Sequence, residues 1–189
     1  MQSVSPEALA LHRRAAPAFG WKRDNTIGAT PQVNGWLDDW PAFFAQRRLG
    51  CQLDLARRQG APSRLIEHGE RLRAAVPAFF PGYSPRPSLL HGDLWGGNHG
   101  YADGQPALFD PAVYFGDRET DLAMTELFGG FPASFMAAYR DAWPVDPGYA
   151  TRKTLYNLYH VLNHFNLFGG GYAGQAQRMT EQLLAEAGG

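Results

Sequence analysis

His91-Gly92-Asp93-Leu94-Trp95-Gly96-Gly97-Asn98, followed by Phe109-Asp110-Pro111, is the stretch that decides how the rest of this sequence is interpreted. The glycine-rich run stands between two short apolar segments, 88–91 and 107–109, which are typical of β-strands. We predict that these two strands pair as a small sheet. The connecting loop then brings three polar side chains to one edge of that sheet: Asp93, Asn98 and Asp110.

The spacing of these three residues suits phosphoryl transfer. In the kinase template, an aspartate that accepts the proton of the attacking hydroxyl precedes a metal-binding asparagine by five positions. A second aspartate, on the next strand, holds the metal that bridges the nucleotide phosphates. Negative charge gathers around the transferred group, which explains the need for hard oxygen ligands to Mg²⁺. Asp93 occupies the position of the base, and Asn98 and Asp110 occupy those of the metal ligands.

A purely structural interpretation of the same residues is the alternative. An aspartate in a glycine-rich loop often does no more than cap a turn. Each of the three residues alone is explained more simply in that way. Their combination, flanked by strand-like runs and followed by a helix, favours a catalytic origin.

The pattern along the chain predicts a mostly α structure with one small β-hairpin element, an α+β domain covering residues 1–189. We expect residues 1–87 to be helical, 88–116 to hold the catalytic loop and metal-binding hairpin, and 117–189 to be helical again. The glycine- and proline-rich segment 20–37 is predicted to be a long loop. Apolar periodicity and end signals predict the helices: 5–15, 38–50, 53–59, 63–75, 119–128, 132–143, 148–168 and 175–187.

The composition is that of an ordinary globular domain. The 189 residues are 44% hydrophobic and 19% charged, with a formal net charge of −1. This balance gives no reason to expect a nucleic acid or a membrane surface as partner, and no run approaches the ~18 apolar residues of a membrane span. The single cysteine, Cys51, excludes an intrachain disulfide. Because Met1 is not followed by a signal-peptide pattern, we expect a cytoplasmic location.

The motif His-Gly-Asp-Leu-Trp-x-Gly-Asn, with Asp-Pro-Ala at 110–112, resembles the fructosamine (ketosamine) kinase family. Aminoglycoside and choline kinases share only the sparser His-x-Asp-x-x-x-x-Asn and Asp pattern. Gly96 is a departure, since a serine is expected there. Nearly the whole chain takes part in the resemblance, through further matching segments: 19–21, 24–28, 39–40, 48–49, 114–131, 156–164 and 167–172.

The resemblance implies the carboxyl-terminal lobe of the protein-kinase-like fold. It implies ATP-dependent phosphorylation of a sugar hydroxyl on a ketoamine, with ATP as co-substrate and Mg²⁺ as cofactor. Asp93 would be the base, and Asn98 and Asp110 the Mg²⁺ ligands. His91 would orient the catalytic loop, and Asp121 would brace that loop from the following helix.

Weaker candidates surround this set. Trp36 could stack on a sugar, and the family match makes Asn163 and His164 candidates for the acceptor pocket. Phe109 is a candidate contact of the nucleotide. Packing is the default interpretation for Trp36, and a core or substrate-contact role is favoured over metal binding for His164. Arg118 stands between two acids, which favours a local ion pair with Asp117 or Glu119 over a contact with the acceptor.

A member of this family should carry a β-rich amino-terminal lobe with a glycine loop and a strand lysine. Neither lysine, Lys22 or Lys153, lies in a strand-like segment. The glycines at 169, 171 and 174 follow a predicted helix, so we interpret them as a helix-ending turn. We therefore expect the amino-terminal lobe to be absent and the chain alone to be inactive. Either the chain is a fragment or truncated product, or a separate chain supplies the lobe. A lobe without its partner also exposes an apolar face, which favours self-association.

Two other functions remain open. The first is a non-catalytic pseudo-kinase fragment that binds a small molecule or a partner through the exposed face of the lobe. The second is an aminoglycoside- or choline-type phosphotransferase, which differs only in its acceptor. The near-neutral charge does not favour a polycationic acceptor.

Overall fold

Apolar helical periodicity over most of the chain produces a mostly helical α+β structure, described over residues 5–188 by a computed structural model. The helices are α1 Ser5–His12, α2 Trp40–Phe43, α3 Cys51–Arg58, α4 Ser63–Ala75, α5 Glu119–Leu127, α6 Ala133–Ala142, α7 Tyr149–Phe168 and α8 Tyr172–Ala187. The strands are β1 Asn25–Ile27, β2 Thr30–Gln32, β3 Ser88–Leu90, β4 His99–Ala102, β5 Gln105–Leu108 and β6 Tyr114–Gly116. A π-helix, Phe44–Gly50, joins α2 to α3.

Helix α7 lies at the centre of the molecule and packs against α3, α5 and α8. Its residues from Leu155 to Asn163 are all buried, since neighbours cover it on several sides. Aromatic rings fill the core between α7 and the π-helix, with Trp40 between Phe43 and Tyr156 at centroid distances of 5.6 and 6.2 Å. The five predicted helices from residue 63 onward that correspond to α4–α8 are confirmed within a few residues at each end.

The predicted pairing of segment 88–91 with segment 107–109 is wrong. Strand β3 pairs instead with β6, with Leu90 opposite Tyr114, and β5 pairs with β4. Asp103 and Gly104, at φ 51° and 75°, make a tight turn that joins β4 to β5. Such a turn favours pairing between β4 and β5. Strand β5 is therefore already paired and does not pair with β3.

The long loop predicted over 20–37 contains a hairpin, so residues 1–87 are not wholly helical. Strands β1 and β2 are three residues each and pair antiparallel, with Asn25 opposite Gln32. Gly28 turns between them at φ 55°. Strands of this length, interrupted by Gly28 and Pro31, carry no detectable period in the sequence.

Helix α1 ends at His12, earlier than the predicted Ala15. Ala15 forms a bridge to Ser88, and the carbonyl of Arg14 accepts a hydrogen bond of 2.8 Å from Leu89 N. The chain after α1 therefore extends alongside β3, and this pairing outweighs one more helical turn. Within residues 5–188, none of the helices has the length and apolar character needed to cross a membrane.

Candidate active site

Asp93, Asn98 and Asp110 line a single cleft of about 430 Å³. The structure therefore brings together the three residues that the motif predicts. The other residues that line the cleft are Thr26, Gly28, Trp95, Pro111 and Ala112.

The loop of residues 91–98, called the catalytic loop below, follows β3 and turns sharply at Gly92. Gly92 has φ 82°, and a Cβ at this position would lie 2.1 Å from the carbonyl oxygen of Ala112. No other residue fits such a close approach. The loop and the segment after Asp110 are joined there, since Ala112 N donates a 2.8 Å bond to the carbonyl of His91.

Asp121 braces the loop from helix α5. Its carboxylate accepts hydrogen bonds from the backbone amides of His91, at 2.7 Å, and Gly92, at 2.9 Å. Burial opposes ionisation of Asp121, but hydrogen bonds and the nearby His12 and His91 outweigh it and lower the pKa of Asp121. A carboxylate in this position holds the loop backbone without touching the cleft.

The ring of His91 joins the two halves of the site. Its Nδ1 accepts a 3.4 Å bond from the amide of Asp93, and its Nε2 lies 3.0 Å from the carbonyl oxygen of Phe109. These contacts fit the tautomer with the proton on Nε2. His91 thus links the catalytic loop to the residue before Asp110.

The carboxyl of Asp93 is half-buried and more basic than an ordinary aspartate. Burial raises its pKa from 3.8 to about 6, while the hydrogen bond from Asn98 and the charge of His164 offset part of that rise. Asn98 Nδ2 donates to the backbone oxygen and to Oδ2 of Asp93, at 3.0 and 3.1 Å. This orientation leaves Asn98 Oδ1 without a donor among the described residues.

Asp110 stands in a left-handed conformation, with φ 53°. Such a conformation is uncommon for a non-glycine residue and is found at functional sites. Asp110 is exposed to the cleft, and Phe109 beside it is 44% exposed. Proline follows at 111, so the backbone after Asp110 lacks one amide donor.

The oxygen atoms in the cleft fit a divalent cation with a preference for hard ligands. Asp110 offers a free carboxylate and Asn98 offers Oδ1, which are ligand types that Mg²⁺ uses. In the part of the chain that the structure describes, no group of three or more His, Cys, Asp or Glu side chains could form a complete metal cage. The residues therefore fit an ion that takes its remaining ligands from water and phosphate oxygens.

Two buried residues behind Asp121 were not found from the sequence. His12 Nε2 lies 3.0 Å from Asp121 Oδ2, and His12 Nδ1 lies 2.7 Å from the hydroxyl of Tyr139. Helices α1, α5 and α6 meet at this contact. A histidine near the end of a predicted helix gives no signal of such a role, because its partners are distant in sequence.

His164 is half-buried on α7 and is not among the residues that line the cleft. Its Nδ1 is 2.8 Å from the carbonyl of His160, and aromatic rings surround its own ring at centroid distances of 4.7 to 5.6 Å. Those rings belong to Phe128, Phe168 and Tyr172. The cluster thus combines three apolar ring faces with one imidazole.

Trp36 and Asn163 are not among the residues that line the cleft. Trp36 is 45% exposed and stacks on Phe115 at 6.2 Å. Asn163 is buried where α7 faces α3, and its Oδ1 accepts a 3.3 Å bond from Gln52. Helical periodicity places Asn163 on a different face of α7 from His164. A contact of either side chain with an acceptor stays a prediction.

The expected ion pair of Arg118 with a neighbouring acid is wrong. The guanidinium of Arg118 instead donates to the carbonyl oxygens of Trp143 and Pro144 and lies 4.1 Å from the Trp143 ring. These carbonyls follow the end of α6, where free carbonyl oxygens attract a cation. Asp117 is bonded instead to the hydroxyls of Tyr83 and Tyr156.

Trp95, Thr26 and Gly28 line the cleft but were not selected from the sequence as site residues. Trp95 is 39% exposed although it lies in a buried loop, and an apolar residue inside a polar motif is the signal that could have identified it. A Cβ on Gly97 would lie 2.3 Å from the Trp95 ring, so the glycine leaves room for that ring. The hairpin residues carry no comparable signal.

The family model for fructosamine kinases matches residues 3–186 of this chain. The chain belongs to the fructosamine kinase family. A probable ketoamine kinase of Synechocystis sp. is 54% identical over 181 residues, which are 93% of this chain and 59% of the relative. A chloroplastic protein-ribulosamine 3-kinase of Oryza sativa subsp. indica is 41% identical over 187 residues, or 97% of this chain and 54% of that protein.

Solved structures give the same result. The crystal structure of a candidate fructosamine-3-kinase from Thermobifida fusca YX-ER1 superposes with a TM-score of 0.88 at 32% identity. The match covers 96% of this chain and 63% of that chain. The chain thus spans less than two thirds of the length of each of these relatives.

Gly96, the departure from the expected fructosamine kinase motif, has a local explanation. A Cβ on Gly96 would lie 2.9 Å from Gly130 Cα and 3.0 Å from the carbonyl oxygen of Gly129. The catalytic loop therefore packs directly on the glycine turn that follows α5. A serine at position 96 would require that turn to move.

Proposed function

We propose that this chain is the catalytic part of an ATP-dependent kinase that phosphorylates a sugar hydroxyl on a ketoamine. The supporting observation is the arrangement in one cleft of a basic carboxyl, Asp93, beside the oxygen ligands of Asn98 and Asp110. Family membership favours a ketoamine acceptor over aminoglycosides or choline. ATP and the ketoamine are thus the proposed partners, and the expectations of a cytoplasmic location and no nucleic-acid partner stay predictions.

Asp93 would accept the proton of the attacking hydroxyl. With a pKa of about 6 it is ionised at neutral pH, and it is a stronger base than an exposed aspartate. A general base works best when its pKa lies near the working pH. Asn98 holds one carboxylate oxygen, so the other is available to the acceptor.

Asn98 Oδ1 and the Asp110 carboxylate would hold Mg²⁺. The bound ion would neutralise the negative charge that develops on the phosphate oxygens. The left-handed backbone at Asp110 directs this ligand into the cleft, and His91 couples its position to that of Asp93.

Trp95 and the cluster around His164 would contact the acceptor. An exposed indole ring offers a flat apolar face, on which a sugar can stack. The rings around His164 could hold the amine-bearing part of a ketoamine by cation–π attraction. Phe109, exposed beside Asp110, would lie against the nucleotide.

The proposed reaction needs further groups that hold the nucleotide, and we find none of them among the described residues. Phosphoryl transfer depends on a glycine loop and a lysine that position the γ-phosphate. Among residues 5–188, neither lysine lies in a strand: Lys153 is in α7, and Lys22 precedes β1. Gly169 and Gly170 form the turn from α7 to α8. We therefore expect negligible transfer from this chain alone.

A chimera tests this function directly. The chain replaces the matching segment of the Synechocystis relative, and phosphorylation of a fructosyl or ribulosyl amine is followed by ³¹P NMR. We expect product from the chimera, at least a roughly 1,000-fold loss with Asp93→Asn, and no product from the chain alone.

The controls separate the alternatives. Asp141→Asn, an exposed site on α6, should leave the chimera fully active. Phosphorylation of an aminoglycoside or choline, but not of a ketoamine, would assign a different acceptor. A folded chimera that transfers phosphate to none of them would favour the non-catalytic alternative.

A further inference from the structure

Two amide side chains from the β1–β2 hairpin hold the backbone that follows Asp110. Gln32 Nε2 donates to the carbonyl oxygen of Ala112 at 3.1 Å, and Asn25 Nδ2 donates to that of Val113 at 2.8 Å. Gln32 is buried and Asn25 is half-buried. These carbonyls lie two and three positions after Asp110, and Ala112 itself lines the cleft.

Hydrogen-bond donors to the amide oxygens of Asn25 and Gln32 fix the orientation of both side-chain amides. Asn25 Oδ1 accepts from Gln32 Nε2 at 2.9 Å and from Asn34 Nδ2 at 2.7 Å. Gln32 Oε1 accepts from the hydroxyl of Tyr159 at 2.7 Å. Because both amide oxygens face donors, both NH₂ groups must face the carbonyls of Ala112 and Val113.

A buried cation begins this series of hydrogen bonds. Arg48 is fully buried in the π-helix, and its Nη2 donates to Asn34 Oδ1 at 2.8 Å. It also donates to the carbonyl oxygens of Val33 and Arg47, and its guanidinium carbon lies 3.9 Å from the ring centre of Tyr114 and 4.8 Å from that of Phe43. Arg48 makes no ion pair with a described acid. A buried charge without a counter-charge is costly, so a packing role alone explains it poorly.

In the segment held in this way, few backbone amides are available to fix the conformation of Asp110. Pro111 has no amide hydrogen, and the amide of Ala112 is used by His91. Asp110 itself is in a left-handed conformation that its surroundings must maintain. The same amides also fix the hairpin, whose Thr26 and Gly28 line the cleft with Asp110.

We propose that Asn25 and Gln32 are positioning residues for the metal ligand Asp110, oriented by Arg48 through Asn34 and by Tyr159. This inference rests on the proposed metal-binding function of Asp110. Residues that support a metal ligand typically change metal affinity by about 10- to 100-fold when they are replaced.

Paramagnetic line broadening by Mn²⁺ tests the inference without an activity assay. Increasing amounts of Mn²⁺ are added to the ¹⁵N-labelled chain, and the amide signals of the catalytic loop and of the segment around Asp110 are followed. Weak binding suffices, because a small bound fraction already broadens nearby signals. The variant Gln32→Met removes the donor, keeps the side-chain volume and adds no charge.

We expect Gln32→Met to require roughly tenfold more Mn²⁺ for the same broadening. Asn25→Ser, at a half-buried position, tests the same restraint if Gln32→Met does not fold. Gln182→Met, at an exposed position on α8, is the matched control and should behave as the parent chain.

The outcomes separate the inference from the function on which it rests. Folded Gln32→Met and Asn25→Ser variants that broaden like the parent chain, whatever their melting temperatures, would overturn the positioning role alone. Broadening in the parent chain that persists in Asp110→Asn, or is absent, would overturn the metal site itself and the inference with it.

Discussion

At the scale of single residues, Asp93 shows a conflict between stability and chemistry. Its pKa in the folded chain is about 6, compared with 3.8 for an ordinary aspartate. Between these values the folded state binds more protons than the unfolded state, so stability falls as pH rises through this window. Above pH 6 the cost of burying the ionised carboxyl is fully present. A base that must be ionised and partly desolvated cannot avoid this cost.

Replacement of Asp93 by asparagine should therefore stabilise the chain at neutral pH. We expect a gain on the order of 1–2 kcal/mol at pH 7.5, after allowance for the partial exposure of the carboxyl. The gain should disappear below about pH 4, where the parent carboxyl is protonated in both states. Urea unfolding at several pH values measures it. Asp141→Asn should change stability by less than about 0.5 kcal/mol throughout, and a destabilised Asp93→Asn would contradict the argument.

At the scale of elements, α1 contributes to the site without touching it. His12, at the end of α1, connects Tyr139 of α6 to Asp121 of α5, and Asp121 holds the catalytic loop. His12→Ala leaves the Tyr139 hydroxyl and one oxygen of a buried carboxylate with fewer partners. We expect a loss of roughly 2–4 kcal/mol in the free energy of unfolding.

Chemical denaturation of His12→Ala checks this value against two milder variants. Tyr139→Phe removes one hydrogen bond and should cost about 1 kcal/mol. His68→Ala, at a partly exposed position near Glu181, should cost less than about 1 kcal/mol. An equal decrease in the free energy of unfolding for His12→Ala and His68→Ala would mean that the contact of His12 with Asp121 contributes little to stability.

The same elements show what the sequence could and could not predict. Helices α4–α8 were predictable, because apolar periodicity and end signals are local properties of the chain. The motif from His91 to Asn98, with Asp110, predicted the three residues that share the cleft. The pairing of β3 with β6 was missed, because a pairing depends on residues far apart in sequence. The β1–β2 hairpin was missed because strands of three residues carry no detectable period, and the role of its amides was missed because they bond to carbonyls distant in sequence.

At the scale of the whole molecule, the question is how much of a nucleotide site this length of chain can form. The chain spans 59% of the Synechocystis relative and 63% of the Thermobifida fusca chain. Its cleft holds the proposed base, Asp93, and the two proposed metal ligands, Asn98 and Asp110. Kinases hold ATP chiefly through a glycine loop and a lysine, and we assign neither to any residue of this chain.

Calorimetry with Mg²⁺ and ATP decides the question. We expect binding weaker than about 1 mM, a free energy smaller in magnitude than about 4 kcal/mol, because two metal ligands cannot replace the missing contacts. Asp110→Ala and Asp141→Asn are the test variant and its control. Binding tighter than about 1 mM that is lost in Asp110→Ala but kept in Asp141→Asn would show that the chain assembles a nucleotide site. Repeating the titration at a tenfold lower protein concentration then distinguishes the two ways of assembling it. An affinity that falls on dilution requires a second copy of the chain, whereas a constant affinity assigns the site to one copy.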